Sequence, residues 1–239
     1  MRRFFAPVEN FEDGHVRLDA DETRHLRDVL RLHVGDEISV FDGEGREFQC
    51  AIDEIRKKGS LARVLQEIEP SSPESPIEIT VAATMLNGDK YDLIIQKVVE
   101  LGVTRLIPMN TIRCDVKLKD GEKRMDRWCR IAMEATKQSG RAKLMQISVP
   151  TAFEELIADP EIQNPVLFSE RDGADFSIVT ADKNITALFG PKGGWDDLEL
   201  AAAARAGLSI ITLGGRILRA ETASIAITAI LQHRFGDLN

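Results

Sequence analysis

The spacing of hydrophobic positions changes near residue 70. Before it, short stretches alternate apolar and polar or are rich in β-formers: 16–19 (VRLD), 37–43 (EISVFDG), 46–55 (REFQCAIDEI) and 61–69 (LARVLQEIE). Period-two alternation places one set of side chains on one face, so each predicts a strand. Asp42-Gly43 and Gly45 predict a tight turn between the second and third. One amphipathic helix interrupts them, running from Thr23 through Leu30, with Asp21 as its expected cap. The stretch at 70–76, PSSPESP, holds three prolines and can continue neither a helix nor a central strand.

After that stretch the elements alternate. Residues 77–86 (IEITVAATML) are nearly all apolar, as in a strand covered on both faces. Residues 89–102 predict a helix, with Asp89 near its start and Gly102 as its stop. A strand over 103–109 and a longer helix over 122–140 follow, and then strands over 165–170, 184–190 and 208–214. Asp196 caps a helix reaching Ala206, and a last helix runs from Glu221 to about Phe235. Alternating strands and helices imply an α/β layer on a parallel sheet. The organisation expected is a small, mostly-β domain over 1–70, a linker over 71–76 and an α/β domain over 77–239.

Composition narrows the function classes. Asp+Glu at 39 against Lys+Arg at 31 gives a net charge of −8, which at face value argues against a polyphosphate partner. The charge is unevenly placed, however. Between Arg113 and Lys143 ten basic residues (113, 117, 119, 123, 124, 127, 130, 137, 141 and 143) face five acidic ones, a local net of +5. Within the helix, Lys123, Arg127, Arg130 and Lys137 share one face, and Met125, Trp128, Ala132 and Ala135 share another. That pattern suits phosphate contacts, and equally a solvated surface helix. No apolar run reaches the roughly 18 residues of a membrane-spanning helix. Glu9, Glu12 and Asp13 interrupt any secretory core. Three scattered cysteines (50, 114, 129) fit a reduced, cytoplasmic protein, and four histidines without partners at ligand spacing predict no metal site.

Two loops stand out, each directly after an apolar strand. One is Gly190-Pro191-Lys192-Gly193-Gly194-Trp195-Asp196, and the other runs from Leu213 to Thr222 (LGGRILRAET). In open α/β sheets ligands bind beyond the carboxyl ends of strands, and glycine there lets backbone approach the ligand. Neither loop is G-x-G-x-x-G or a Walker loop, and on spacing alone both also read as tight β–α turns. Asp196-Asp197 and Glu154-Glu155 are sequence neighbours, which on a helix do not face one another. Cys129 beside Trp128 reads as packing, and no nucleophile triad is present in the sequence pattern.

FGPKGGWDDLE (189–199) followed by ITLGGRILRAETASIA (211–226) resembles the signature of the 16S rRNA (uracil-N3)-methyltransferase family, of the RsmE type, within the SPOUT or trefoil-knot superfamily. Met1-Arg2-Arg3-Phe4-Phe5 and residues 25–32 (HLRDVLRL) resemble that family's N-terminal PUA-like RNA-binding domain. DKYDLIIQKVVELGVTRLIP (89–108) and EATKQSGR (134–141) resemble its central helices, so the likeness covers nearly the whole chain in order. Two features depart from the pattern. Lys192 stands where the family usually has Glu, and Ala142-Lys143-Leu144-Met145 follows SGR where a Val-Pro pair is common.

The resemblance implies a deep trefoil-knot parallel sheet flanked by helices, with a small PUA-like barrel before it. It implies a homodimer with each active site near the subunit interface, and S-adenosylmethionine as cofactor, held by the two loops and the end of PVLFSE. Gly190, Pro191, Gly194, Leu213, Gly214, Ile217, Leu218 and Thr222 are the cofactor candidates. For Ile217 and Leu218 core packing is the alternative, and for Thr222 a helix cap. The reaction implied is methylation of N3 of a uridine in 16S rRNA of the small ribosomal subunit, position 1498 by the same resemblance. Another RNA atom (ribose 2′-O or guanine N1) and an inactive assembly factor are the alternatives. Arg219 is the candidate for stabilising negative charge on the base, and Glu221 either positions Arg219 or the base, or serves the helix dipole. Arg2, Arg3, Arg31, Lys137 and Arg141 are the candidate RNA contacts. The acidic total, set against a locally basic segment, predicts weak non-specific RNA binding.

Overall fold

The computed structural model describes residues 2–116, 121–181 and 183–238, so Lys117, Lys119 and Asp120 of the basic segment lie outside the described residues. The chain divides into two compact units, Met1–Glu74 with Thr136–Leu144, and Ser75–Ala135 with Met145–Asn239.

The first unit holds β1 (Arg3–Phe5), β2 (Phe11–Glu12), β3 (His15–Leu18), α1 (Ala20–Arg24), β4 (Glu37–Phe41), β5 (Glu47–Arg56) and β6 (Gly59–Ile68). The sheet order is β1-β4-β5-β6-β3-β2. β1 pairs parallel to β4 and the other pairs are antiparallel. Register shifts at Gln49/Cys50 and Ile52/Glu54 bend β5 against β6, as bulges do. Edge strands β1 and β2 do not pair with each other among the described residues, so the sheet is a half-barrel and not a closed one. Its concave side is filled by Phe4, Val16, Leu26, Ile38, Val40 and Ile52, all essentially inaccessible.

The predicted turn after β4 is built on Asp42. Its carboxylate accepts from the backbone N–H of Glu44 (2.8 Å) and Arg46 (3.1 Å), while Gly43 and Gly45 take positive φ. The helix differs from expectation at its start. Asp19, not Asp21, is the cap, accepting from Glu22 N at 2.8 Å, and Asp21 instead pairs with Arg24. Two aspartates two positions apart offer the same cap chemistry, and the backbone placed the extended residue at 19. The helix then widens into a π turn over His25–Val29, and Arg31 leaves it at φ 54°.

The second unit runs β7 (Glu78–Thr84), α2 (Asp89–Glu100), β8 (Arg105–Asn110), α3 (Gly121–Ser139), β9 (Gln146–Ile147), β10 (Thr151–Ala152), α4 (Phe153–Ala158), β11 (Pro165–Phe168), β12 (Asn184–Phe189), α5 (Asp197–Arg205), β13 (Ser209–Ile211) and α6 (Ala220–Phe235). The last turn of α3, from Thr136, belongs to the first unit. The sheet order is β10-β8-β7-β12-β11-β13, with β9 also on β8, and every pair is parallel.

Both faces are covered, which is why these strands read as continuous apolar runs. Ile79, Val81, Ile185, Ala187 and Val166 face α2, α3 and α6 through Tyr91, Ile95, Trp128, Ala132 and Leu231. Ala82, Leu188, Leu167 and Ile107 face α4 and α5 through Phe153, Leu156, Leu200 and Ala203. Trp128, Ala132 and Ala135 are buried as the α3 pattern implied. β9, β10 and α4 carry too few residues each for a period to be read. α6 is tied at its far end by Gln232, wholly buried, which donates to Leu101 O at 2.7 Å and accepts from Ser75 Oγ at 2.8 Å.

Candidate active site

β12, β11 and β13 lie side by side, and the chain beyond each of them lines one cleft of about 430 Å³. Ser169 and Glu170 follow β11, residues 190–195 follow β12, and residues 212–218 follow β13. The floor is apolar. Phe168 and Phe189, the last residues of adjacent strands, stack at 5.5 Å and 12°, with Ile211 and, from α6, Ala223 and Ile227 completing it. Parallel strands that end together place loop backbone around one hollow, which is the general location of ligands in such sheets.

The loop after β12 is rigid for identifiable reasons. Trp195 is buried, donates from Nε1 to Phe168 O at 2.8 Å, and packs on Phe153 at 5.3 Å. A Cβ on Gly190 would come within 2.8 Å of the Trp195 ring, and Gly194, at φ 73°, has the Glu170 carboxylate where its Cβ would stand. Two arginines pin the end of the loop, over residues 193–196. Arg113 donates to Gly193 O (3.1 Å), Trp195 O (3.3 Å) and Asp196 (3.0 Å), and Arg171 donates to Trp195 O at 3.2 Å. Asp196 and Glu199 form the reciprocal capping box that starts α5.

The loop after β13 has the opposite character. Among the described residues nothing lies within 4 Å of where a Cβ on Gly214 or Gly215 would be. Ile217 is 85% exposed and Leu218 40%. Neither is core, so two large apolar side chains stand in solvent at the rim of the cleft.

The loop ends at α6, where Arg219 occupies the N-cap position with an exposed side chain. Glu221, 13% exposed in the first turn, meets Lys90 Nζ of α2 at 3.3 Å. Burial works to raise the Glu221 carboxyl, but its own backbone N–H, Lys90 and the charge of Arg219 together hold it below the usual carboxylate range. It is therefore an anion at neutral pH and a weak proton acceptor. The thiol of Cys129 is pushed up by burial and by Asp126, and that of Cys50 by burial to about 12, so neither is poised as a nucleophile.

A family model described as RNA methyltransferase domain matches residues 73–232, and one described as RNA methyltransferase PUA domain matches residues 18–65. The chain is 31% identical to Ribosomal RNA small subunit methyltransferase E of Synechocystis, over 95% of this chain and 76% of that one. It belongs to the small subunit methyltransferase E family. The Bacillus subtilis member is 29% identical over 96% of both chains. The crystal structure of the Neisseria gonorrhoeae member, bound to S-adenosyl methionine, matches with a TM-score of 0.91 at 34% identity over 100% of both chains. The fold class is accordingly the trefoil-knot parallel sheet with a PUA-like unit.

In this family member the structure gathers Gly190, Pro191, Gly194, Leu213, Gly214, Ile217 and Leu218 around the one cleft. Thr222 does not line it. It sits exposed in the first turn of α6, and the cap position falls on Arg219. Arg219 and Glu221 stand at the helix start next to the rim. The candidate RNA contacts separate into two groups. Arg2 and Arg31 are exposed. Arg3 is held inside its unit, with both Glu47 oxygens at 2.9 Å and the carbonyls of Lys137 (2.9 Å) and Arg141 (2.8 Å). Lys137 pairs with Glu22, and Arg141, 3% exposed, pairs with Glu74 at 2.6 Å. On α3, Arg127 pairs with Asp92. The sequence placed the end of PVLFSE at the cofactor but singled out neither Phe168 nor Glu170, and the Phe168–Phe189 stack, Lys90 and the arginine pins at 113 and 171 were not read from it. The strand ends carried a signal, since Phe168 and Phe189 each close an apolar run just before a polar loop. Among the described residues no group of three His, Cys, Asp or Glu is placed to hold a metal, and no helix is long and apolar enough to cross a membrane.

Proposed function

We propose that this protein transfers a methyl group from S-adenosylmethionine to N3 of a uridine in 16S rRNA of the small ribosomal subunit, the position being 1498 by family resemblance. The observation that carries this is the cleft itself, whose open backbone at Gly214 leaves room for a ligand that the described residues do not fill. The fit is chemical as well as spatial. An aromatic and aliphatic floor suits a purine, loop amides and carbonyls at Gly190, Leu213, Gly214 and Leu218 suit its polar edge, and Ile217 and Leu218 supply apolar contact. Glu170 is the one carboxylate in the lining, and it complements a cationic ligand.

Bound there, S-adenosylmethionine supplies an electrophilic methyl on a sulfonium. The protein's part is to hold the acceptor nitrogen in line with it, which is the largest lever open to such a site. Uracil N3 must lose its proton before or during attack, and the charge spreads onto the two flanking carbonyl oxygens. Arg219, exposed at the positive end of α6, offers guanidinium N–H donors to that charge. Glu221 is a poor base in its present setting, so its part is to position. The target base must leave its stack to reach the cleft, so flipping is expected.

In sequence terms this reading has a PUA-like RNA-binding domain over 1–70, a linker over 71–76 and the methyltransferase domain over 77–239. Arg2 and Arg31 are its direct RNA contacts, while Arg3, Lys137 and Arg141 act by ordering the 136–144 segment. A homodimer fits the exposed Ile217 at the cleft rim, and light scattering checks it. Three free cysteines fit a cytoplasmic setting. The functional test is R219A. It should cut turnover by about 10²–10³-fold while calorimetry shows cofactor binding within a few-fold of the parent. Turnover surviving within a few-fold would remove Arg219 from the site.

A further inference from the structure

We propose that Lys90 is a positioning residue for methyl transfer: by holding the Glu221 carboxylate against α2, it leaves the Arg219 guanidinium available to the RNA base. This rests on the reading of Arg219 given above.

Glu221 is one anion with two candidate cations. Glu221 is 13% exposed, and a carboxylate so placed needs a cationic partner. Two cations are within its reach along the chain and across the packing. Arg219 is two residues before it at the cap, and Lys90 is in the first turn of α2. The structure resolves the choice. Lys90 Nζ stands 3.3 Å from Glu221 Oε1, and among the described residues Arg219 makes no ion pair. Were Arg219 to take the carboxylate, its charge would be neutralised at the place where charge on the base must be stabilised.

The position of Lys90 is itself in need of a reason. A cation in the first turn opposes the helix dipole, and the other charged residues of that turn, Asp89 and Asp92, follow the usual preference. Gly88, at φ 66°, makes the sharp entry from the end of β7 into α2 and so sets where Lys90 falls. β7 is the neighbour of β12, so this entry stands at the carboxyl end of the sheet, as do the two cleft loops. The pair therefore joins the start of α2 to the start of α6 on the ligand side of the fold.

The test compares wild type, K90M, K90R, K90M/E221Q and R219A, measuring kcat and KM for RNA, cofactor Kd by calorimetry, and melting temperature. K90M keeps the aliphatic stem and removes the charge. It should lower kcat about tenfold or more, with cofactor Kd and melting temperature held near wild type. K90R should recover most of the loss. K90M/E221Q should be more active than K90M, because removing the carboxylate frees Arg219 again. A purely structural lysine would give a double variant no better than K90M. That result, or K90M at wild-type kcat, overturns the proposal. R219A at wild-type turnover would instead sink the reading on which it rests, so the two failures are told apart.

Discussion

The indole N–H of Trp195 donates a 2.8 Å hydrogen bond to the carbonyl oxygen of Phe168, tying the loop after β12 to the last residue of β11. Both partners are buried. W195F keeps most of the ring volume and leaves that carbonyl without its donor, which costs about 1–3 kcal/mol. Urea denaturation should show the loss, and cofactor affinity should fall with it because the cleft wall is the same loop. A variant with unchanged midpoint and unchanged affinity would show that the bond does not organise the site.

The glycines of the two loops should behave oppositely. In G190A the new methyl meets the Trp195 ring at 2.8 Å, so melting temperature and cofactor binding should fall together. In G214A the methyl meets nothing among the described residues, so melting temperature should hold while cofactor affinity drops. Thermal melts with and without S-adenosylmethionine separate the two. A G214A protein that is still stabilised by the cofactor as wild type is would mean the ligand does not approach that backbone.

Arg3 and Glu47 predict a stability effect in the first unit. Glu47 is 2% exposed and receives both of its guanidinium bonds from Arg3. R3A strands that carboxylate and should cost about 3–5 kcal/mol in unfolding free energy. R2A, at an exposed side chain, should leave stability alone and weaken RNA binding, with a shallower dependence on salt. Equal stability of R3A and R2A would contradict the assignment of Arg3 to internal structure.

The depressed Glu221 carboxyl fixes the sign of a pH effect. A group whose folded pKa lies below its unfolded value adds stability above the unfolded value, and loses it as pH falls through the folded one. The Lys90–Glu221 pair should thus persist across neutral pH and be lost as pH falls below the usual carboxylate range of about 4. Between about pH 6 and pH 8 the rate profile should be the same for wild type and E221Q in shape, whatever their heights. A profile step near neutrality that E221Q removes would mean Glu221 titrates there as a base.

What could be read from the sequence was local. Gly190 through Asp196 and Leu213 through Thr222 announced themselves because glycine after an apolar run has a backbone reason to be there. The Asp196 cap was legible for the same reason, since cap and box lie three residues apart. Arg113 and Arg171 were not, because they reach the loop from 80 and 24 residues away in the chain and their targets are carbonyls, which every residue has. Arg2 and Arg3 are neighbours of one residue type, yet one is exposed and the other is bonded to Glu47. Which is which depends on strand pairing that a three-residue β1 does not reveal. The same limit hid the cap at Asp19 and the half-barrel edge.

The central claim is tested most directly by nucleoside mass spectrometry of 16S rRNA and 30S particles after incubation with the protein and isotopically labelled S-adenosylmethionine. The account predicts labelled 3-methyluridine from one site, formed by wild type and not by R219A. Label in a ribose-methylated nucleoside or in 1-methylguanosine, or no labelled nucleoside on either substrate, would contradict it.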